Sequence, residues 1–127
     1  MLYAILCYQS ENVVSGWTAE EDAALMASHA AASEKIARRG KLGPVARLMP
    51  TTTAVSLKPG RKPLVLDGPF AETKEQLLGF YVVDCATLEE AIDTAQPFAQ
   101  EGGILEIRPV MFFQQSTPDC VAAQDPQ

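Results

Sequence analysis

The sequence Asp67-Gly68-Pro69-Phe70 separates two strand-like parts of the chain, and the other elements are arranged around it. One β-rich run ends at residue 66, and another begins near residue 78. Gly68 can adopt backbone angles that other residues avoid, and Pro69 fixes its own φ angle and disfavours helix at the residue before it. These residues therefore predict a tight turn that holds the Asp67 carboxylate at the end of a strand.

Strands and two helices alternate outside this turn. The apolar, β-branched runs predict strands at 2–9, 42–49, 78–85 and 104–110, and a hairpin at 52–66 that extends the same sheet. Thr18-Ala19-Glu20-Glu21 and Thr87-Leu88-Glu89-Glu90 have the capping-box pattern, which predicts helices over about 19–39 and 88–100. Pro97 should kink the second helix or end its regular part. Leu88, Ala91, Ile92, Ala95 and Phe98 are its predicted buried face.

Strand, helix and strand follow one another twice, with the hairpin between the two units. This order predicts an α+β, ferredoxin-like split βαβ fold, with both helices on one face of an antiparallel sheet. No third helix is available for the other sheet face, so we expect a second copy of the chain to cover it in a homodimer. We expect one domain over 1–113 and a polar, disordered tail over 114–127.

Composition narrows the classes of function. The chain has 127 residues, with 10 basic and 16 acidic side chains and a net charge of −6. The acidic balance and the lack of a basic stripe disfavour direct nucleic-acid binding. No segment resembles a membrane span or a signal peptide, so we expect a cytoplasmic protein without membrane association. Three separated cysteines and one histidine predict neither a metal site nor a cofactor.

His29 is the only histidine and lies on the predicted apolar face of the first helix, with Leu25, Ala32 and Ile36. It could be a core histidine with one hydrogen bond, or it could exchange a proton with a ligand, because histidine titrates near pH 6.5. Asp67 could satisfy the N–H groups of its turn. Alternatively, Asp67 could orient His29 as the second member of a catalytic acid–base pair.

Three further side chains are candidate substrate-binding residues. Phe70 could stack on a ligand, although a core plug or a dimer contact is the preferred interpretation. Lys74 could hold an anionic ligand, although charged residues of this kind usually form a solvated face. Arg108 alternates with the aliphatic residues of the last strand. It could form a surface ion pair with Glu106, or it could bind the carboxylate of a ligand.

The eleven residues from Asp67 to Leu77 closely resemble the hallmark of the YCII-related, DGPF-domain proteins. The resemblance extends over about 1–110 and includes Trp17, His29, Leu88-Glu89-Glu90-Ala91 and Glu106-Ile107-Arg108-Pro109-Val110. Leu78 departs from the family pattern, in which a second glycine is common before the aromatic strand. Membership implies a dimeric α+β barrel. It also implies that His29 and Asp67 match a conserved pair proposed for acid–base chemistry. The wider superfamily includes enzymes that act on small cyclic or aromatic metabolites.

Two hypotheses of function follow. In the first, a small-metabolite pocket uses His29 and Asp67 for proton transfer, isomerisation or elimination. In the second, the protein is a non-catalytic, ligand- or protein-binding regulatory module. The resemblance implies a functional link between such a module and an alternative sigma factor, because family members are often encoded beside the gene of such a factor.

Overall fold

A four-stranded antiparallel sheet forms the centre of the protein, which is described here by a computed structural model over residues 1–71, 73–100 and 102–115. The strands are β1 (Leu2–Gln9), β2 (Leu42–Arg47), β3 (Val55–Lys58), β4 (Leu64–Asp67), β5 (Gln76–Asp84) and β6 (Ile104–Pro109). The helices are α1 (Glu11–Ser15), α2 (Ala19–Arg38) and α3 (Leu88–Ala95). The sheet order β2-β5-β1-β6, with every neighbouring pair antiparallel, confirms the predicted α+β, ferredoxin-like fold.

Both ends of α2 follow from local chemistry. The Thr18 hydroxyl accepts a hydrogen bond from the Glu21 backbone N–H at 3.0 Å, and the Glu21 carboxylate accepts one from the Thr18 N–H at 3.1 Å. Two N–H groups at the helix start are thereby satisfied, which confirms the predicted capping box. At the other end, Gly40 adopts a φ of 70°, the left-handed conformation in which glycine commonly ends a helix.

The second predicted helix begins as expected and ends earlier. Thr87 caps α3 by accepting from the Glu90 N–H, and regular helix stops at Ala95 before a 3-10 turn that contains Pro97. Pro97 therefore ends the regular part, as predicted. The predicted buried face is correct for Ala91, Ala95 and Phe98 but wrong for Leu88 and Ile92, which are 46% and 39% exposed. Leu88 and Ile92 fit the helical pattern of apolar residues, but the described part of the chain leaves both side chains exposed.

The hairpin at β3 and β4 forms a separate two-stranded sheet, so the prediction that it extends the main sheet is wrong. After Pro50 the chain enters a 3-10 turn at Thr51–Thr53. The Glu11 carboxylate of α1, a helix that was not predicted, accepts hydrogen bonds from the N–H and hydroxyl of Thr51, both at 2.8 Å. These bonds hold the chain to α1 beyond the end of β2, and this is where it leaves the sheet.

The Asp67–Phe70 turn forms as the sequence predicts. Gly68 has a φ of 96°, and its N–H donates to the Ala54 carbonyl oxygen at 2.7 Å. The Ser56 hydroxyl donates to the Gly68 carbonyl oxygen at 2.7 Å. The turn therefore closes the base of the β3–β4 hairpin.

The hydrophobic core lies between one face of the sheet and the helices. Tyr3 and Ile5 of β1 pack there with Val83 of β5, Ile36 of α2 and Phe98. Residues directly opposite in antiparallel strands share a sheet face, so Leu6, Phe80 and Glu106 lie on the other one.

Of the predicted tail, residues 116–127 lie outside the described ranges, and its disorder stays a prediction. Within those ranges, no helix combines the length and apolarity that crossing a membrane requires.

Gly79→Ala is expected to destabilise the protein by about 1–3 kcal/mol, the usual cost of overpacking. A Cβ at Gly79 would lie 2.5 Å from the Ala46 carbonyl oxygen, so β2 and β5 would have to separate. The measurement is the free energy of unfolding in urea. Gly60→Ala is the matched control because a Cβ there meets nothing within 4 Å. Equal free energies of unfolding in the two variants would show that β2 can move away from β5 without loss of stability.

Candidate ligand-binding site

A cavity of about 200 Å³ lies where β1 and β2 end and β5 and β6 begin, beneath α2. Most of its wall is apolar and aromatic, with contributions from Trp17, Leu25, Met26, Leu78 and Phe98. A shallower depression shares Trp17, Leu25 and Gln100 with it and therefore adjoins it. Pockets for drug-sized ligands have volumes of about 300–1,000 Å³, so this cavity suits a smaller molecule.

His29 lies in the wall of this cavity, and both of its ring nitrogens have neighbours. Its Nδ1 is 3.0 Å from the Tyr81 hydroxyl, and its Nε2 is 3.5 Å from the Gln100 side-chain nitrogen. The edge of the Phe98 ring packs against the imidazole at 5.3 Å between centroids, and Tyr81 stacks on Phe98 at 3.9 Å. The distance at Nδ1 is that of a normal hydrogen bond, whereas the distance at Nε2 is long for one. A ligand could therefore displace Gln100 and reach Nε2.

The surroundings keep His29 uncharged at neutral pH. Burial lowers its pKa below the ordinary value, and the positive charge of Arg47 lowers it further. Burial raises the pKa of Tyr81 to about 12, so its hydroxyl stays protonated and can donate. Burial also raises the pKa of Cys7 to about 11, and this cavity thiol is therefore not a nucleophile at neutral pH. The cavity thus combines a neutral base with protonated neighbours.

Arg47 adds a fixed positive charge to the cavity wall. Its Nη2 and Nη1 donate to Asp22 Oδ1 and Oδ2 at 2.7 and 3.2 Å, which is the bidentate geometry typical of arginine and a carboxylate. The pair connects the end of β2 to the first turn of α2. Arg47 is thereby held in one orientation at the edge of the cavity.

A family model of the YCII-related domain matches residues 1–114. The chain belongs to the YCII-related family. An uncharacterized protein of Rhizobium meliloti (strain 1021) is 50% identical over 117 residues, which cover 89% of this chain and 94% of that protein. The resemblance carried by the Asp67–Leu77 stretch is therefore confirmed.

The cavity is lined by residues outside the YCII-related hallmark at 67–77. Of the predicted site residues, only His29 lines the cavity; Asp67, Phe70, Lys74 and Arg108 do not. Asp67 ends β4 and is exposed, and no hydrogen bond or ion pair joins it to His29 in the part of the chain that the structure describes. The pairing of His29 with Asp67 stays a prediction.

The three predicted substrate-binding residues of this YCII-related protein lie at the surface. Phe70 is 96% exposed, so it does not plug the core of its own chain. Lys74 is exposed as well. Arg108 is 3.6 Å from Glu106, which is the surface ion pair weighed from the sequence. Their binding roles stay predictions.

Sequence reasoning missed Arg47, Tyr81 and Gln100 as members of this site. Arg47 is the one charged residue of the predicted strand at 42–49, and this was the one available signal. Tyr81 is 52 residues from His29 and Gln100 is 71, so their proximity depends on strand register and packing. Within the described ranges, no three His, Cys, Asp or Glu side chains cluster as a metal ion would require.

Proposed function

We propose that this YCII-related protein binds a small metabolite in the cavity and uses His29 to transfer a proton on it. The supporting observation is a half-buried, neutral histidine in the wall of an apolar cavity, 3.0 Å from a tyrosine hydroxyl. A group that can gain or lose a proton near neutral pH serves proton transfer, isomerisation or elimination. The proposal therefore concerns a reaction type, not a named compound.

In this proposal Tyr81 orients the imidazole. When the Tyr81 oxygen accepts a hydrogen bond from Nδ1–H, the lone pair of Nε2 is left as the base. Nε2 takes a proton from the ligand and returns it to another atom of the ligand or to water. Asp67 would join this pair only if the turn after β4 reached the cavity, from the same chain or from a second copy. Phe70, Lys74 and Arg108 would likewise contact the ligand only if they reached the cavity, from the same chain or from a second copy.

The test is proton exchange in D₂O, followed by NMR over a panel of small lactones and hydroxylated aromatics. We expect the full-length protein to accelerate exchange or conversion of at least one compound. The rate should be constant above about pH 6.5. It should fall as the pH drops through the lowered pKa of His29, because the imidazolium cannot accept a proton. Tyr81 and Cys7, with pKa values of about 12 and 11, should add no alkaline decline near neutrality.

Failure to accelerate any reaction in the panel would count against the proposal. A rate that does not change between neutral and acidic pH would exclude His29 as the base. Either result would favour the non-catalytic module, which large exposed side chains such as Phe70 and Phe112 also support. Such a module should bind a sigma factor equally well with His29→Ala. The proposed location of either activity is the cytoplasm.

We propose that the active form is a homodimer in which the β3–β4 hairpin takes part. Val55, Leu57 and Val65 share one hairpin face, and each is more than 60% exposed. Monomeric proteins rarely expose contiguous apolar surface of this kind. We expect light scattering at micromolar concentration to give twice the mass of the chain.

Leu57→Glu should shift the molecular mass toward that of the single chain, because it places a charge in the apolar contact. Lys58→Glu is the matched control, since its side chain lies on the opposite hairpin face. A wild-type monomer, or a dimer that both variants retain, would remove the hairpin from the interface.

A further inference from the structure

We propose that the cavity takes a small monocarboxylic acid with a flat apolar body, and that Arg47 binds its carboxylate. The inference rests on the proposed function, since it takes the cavity as the ligand site. To that function it adds a class of substrate and a residue, Arg47, that selects it.

Arg47 is the one charged side chain among the described residues that line the cavity, because His29 is neutral at pH 7. No aspartate, glutamate or lysine is among those residues. The adjoining depression contains Glu21, whose carboxylate is bound to the Thr18 N–H. Asp22 pairs with Arg47 but does not line the cavity, so the described wall presents a cation and no carboxylate, which favours an anionic ligand.

The guanidinium of Arg47 has donors left for a ligand. Arginine has five N–H donors, and each Asp22 contact uses one. Asp22 does not line the cavity, so it fixes the arginine without occupying the ligand space. A fixed fork recognises a carboxylate better than a flexible cation does, since less side-chain freedom is lost on binding.

The apolar part of the wall defines the rest of the ligand. Phe98 and Trp17 present aromatic surface, and Leu25 and Leu78 complete an apolar enclosure. A volume of about 200 Å³ leaves room for roughly one ring. A ligand held by its carboxylate at Arg47 would present a nearby carbon or ring substituent to His29.

Trp17 makes binding directly measurable, because it is the single tryptophan of the chain and lines the cavity. The experiment titrates full-length protein with benzoate and with benzamide, its neutral counterpart, at pH 7.5 and follows tryptophan fluorescence. We expect benzoate to bind at least about tenfold more tightly, because its contact with Arg47 is charge-assisted on both sides.

Arg47→Gln should abolish this preference. Arg38→Gln is the matched control, because it removes the same charge from an exposed arginine that pairs with Glu34. If circular dichroism shows that Arg47→Gln does not fold, Arg47→Lys decides. That variant keeps the positive charge but lacks the planar fork, so benzoate should bind about two- to fivefold more weakly than it binds to the wild type.

Several outcomes overturn the inference: equal binding of benzoate and benzamide, no saturable response to either, or a preference that survives in Arg47→Gln. Unchanged or tighter benzoate binding by Arg47→Lys does so as well. Failure of the proposed function is distinguishable, because the readout is binding. His29→Gln should keep the preference for benzoate even where proton exchange is lost.

Discussion

Replacing His29 with glutamine is expected to lower the rate of proton exchange by about 10²–10⁴-fold, the usual contribution of a positioned acid or base. Glutamine keeps a polar side chain that can contact the Tyr81 hydroxyl, but its amide cannot accept a proton near pH 7. The substitution therefore removes the proposed chemistry with little change in volume. The measurement is the exchange rate at saturating ligand, compared with that of the wild type.

Tyr81→Phe is the matched variant for this prediction. It preserves the aromatic stack on Phe98 and removes only the hydroxyl that lies 3.0 Å from His29 Nδ1. We expect a smaller loss of rate, because the base remains but loses the hydrogen bond that orients its ring. Ligand affinity, read from Trp17 fluorescence, should change little in either variant. Equal exchange rates in wild type and His29→Gln would refute a catalytic role for the histidine.

Phe98→Ala is expected to lower the free energy of unfolding by about 3–5 kcal/mol, the usual cost of truncating a buried phenylalanine. Phe98 is 1% exposed, stacks on Tyr81 at 3.9 Å and packs its edge against His29. Alanine would leave a void between sheet and helices and would remove one wall of the cavity. Denaturant unfolding at fixed protein concentration measures the change, since dimerisation would make stability concentration-dependent.

Phe98→Leu is the companion measurement, because it keeps most of the apolar volume and loses the aromatic stacking. We expect a cost of about 1–2 kcal/mol, well below that of alanine. Ligand binding should also fail first in Phe98→Ala, since the wall of the cavity is lost with the ring. A destabilisation below about 1 kcal/mol in Phe98→Ala would show that the neighbouring elements close the void.

The helix ends and the turns could be predicted from the sequence because their causes act within a few residues. Thr18 and Glu21 satisfy each other's backbone N–H groups, regular helix ends at Ala95 just before the turn that contains Pro97, and Gly68 supplies the positive φ of its turn. The order of these elements was sufficient to predict the ferredoxin-like topology, since few arrangements bury two such βαβ units.

Pairing beyond the main sheet was not predictable in the same way. The hairpin was expected to extend that sheet, because its alternating residues resemble those of any strand. The chain leaves that sheet next to the contact between Glu11 and Thr51, which are 40 positions apart and whose proximity no local pattern predicts. The burial of α3 was overestimated for a similar reason, since Leu88 and Ile92 fit the helical pattern but are not buried by any of the described residues.

The sequence by itself determined the family, the topology, the turn around Asp67 and the choice of His29 as the histidine to examine. Only the tertiary structure decided that His29 lies beside Tyr81 and Gln100 in a cavity with Arg47, while Asp67 ends a separate hairpin. The physical reason is range. Caps and turns depend on neighbours along the chain, whereas a cavity is formed by side chains that strand register and packing bring together from distant positions.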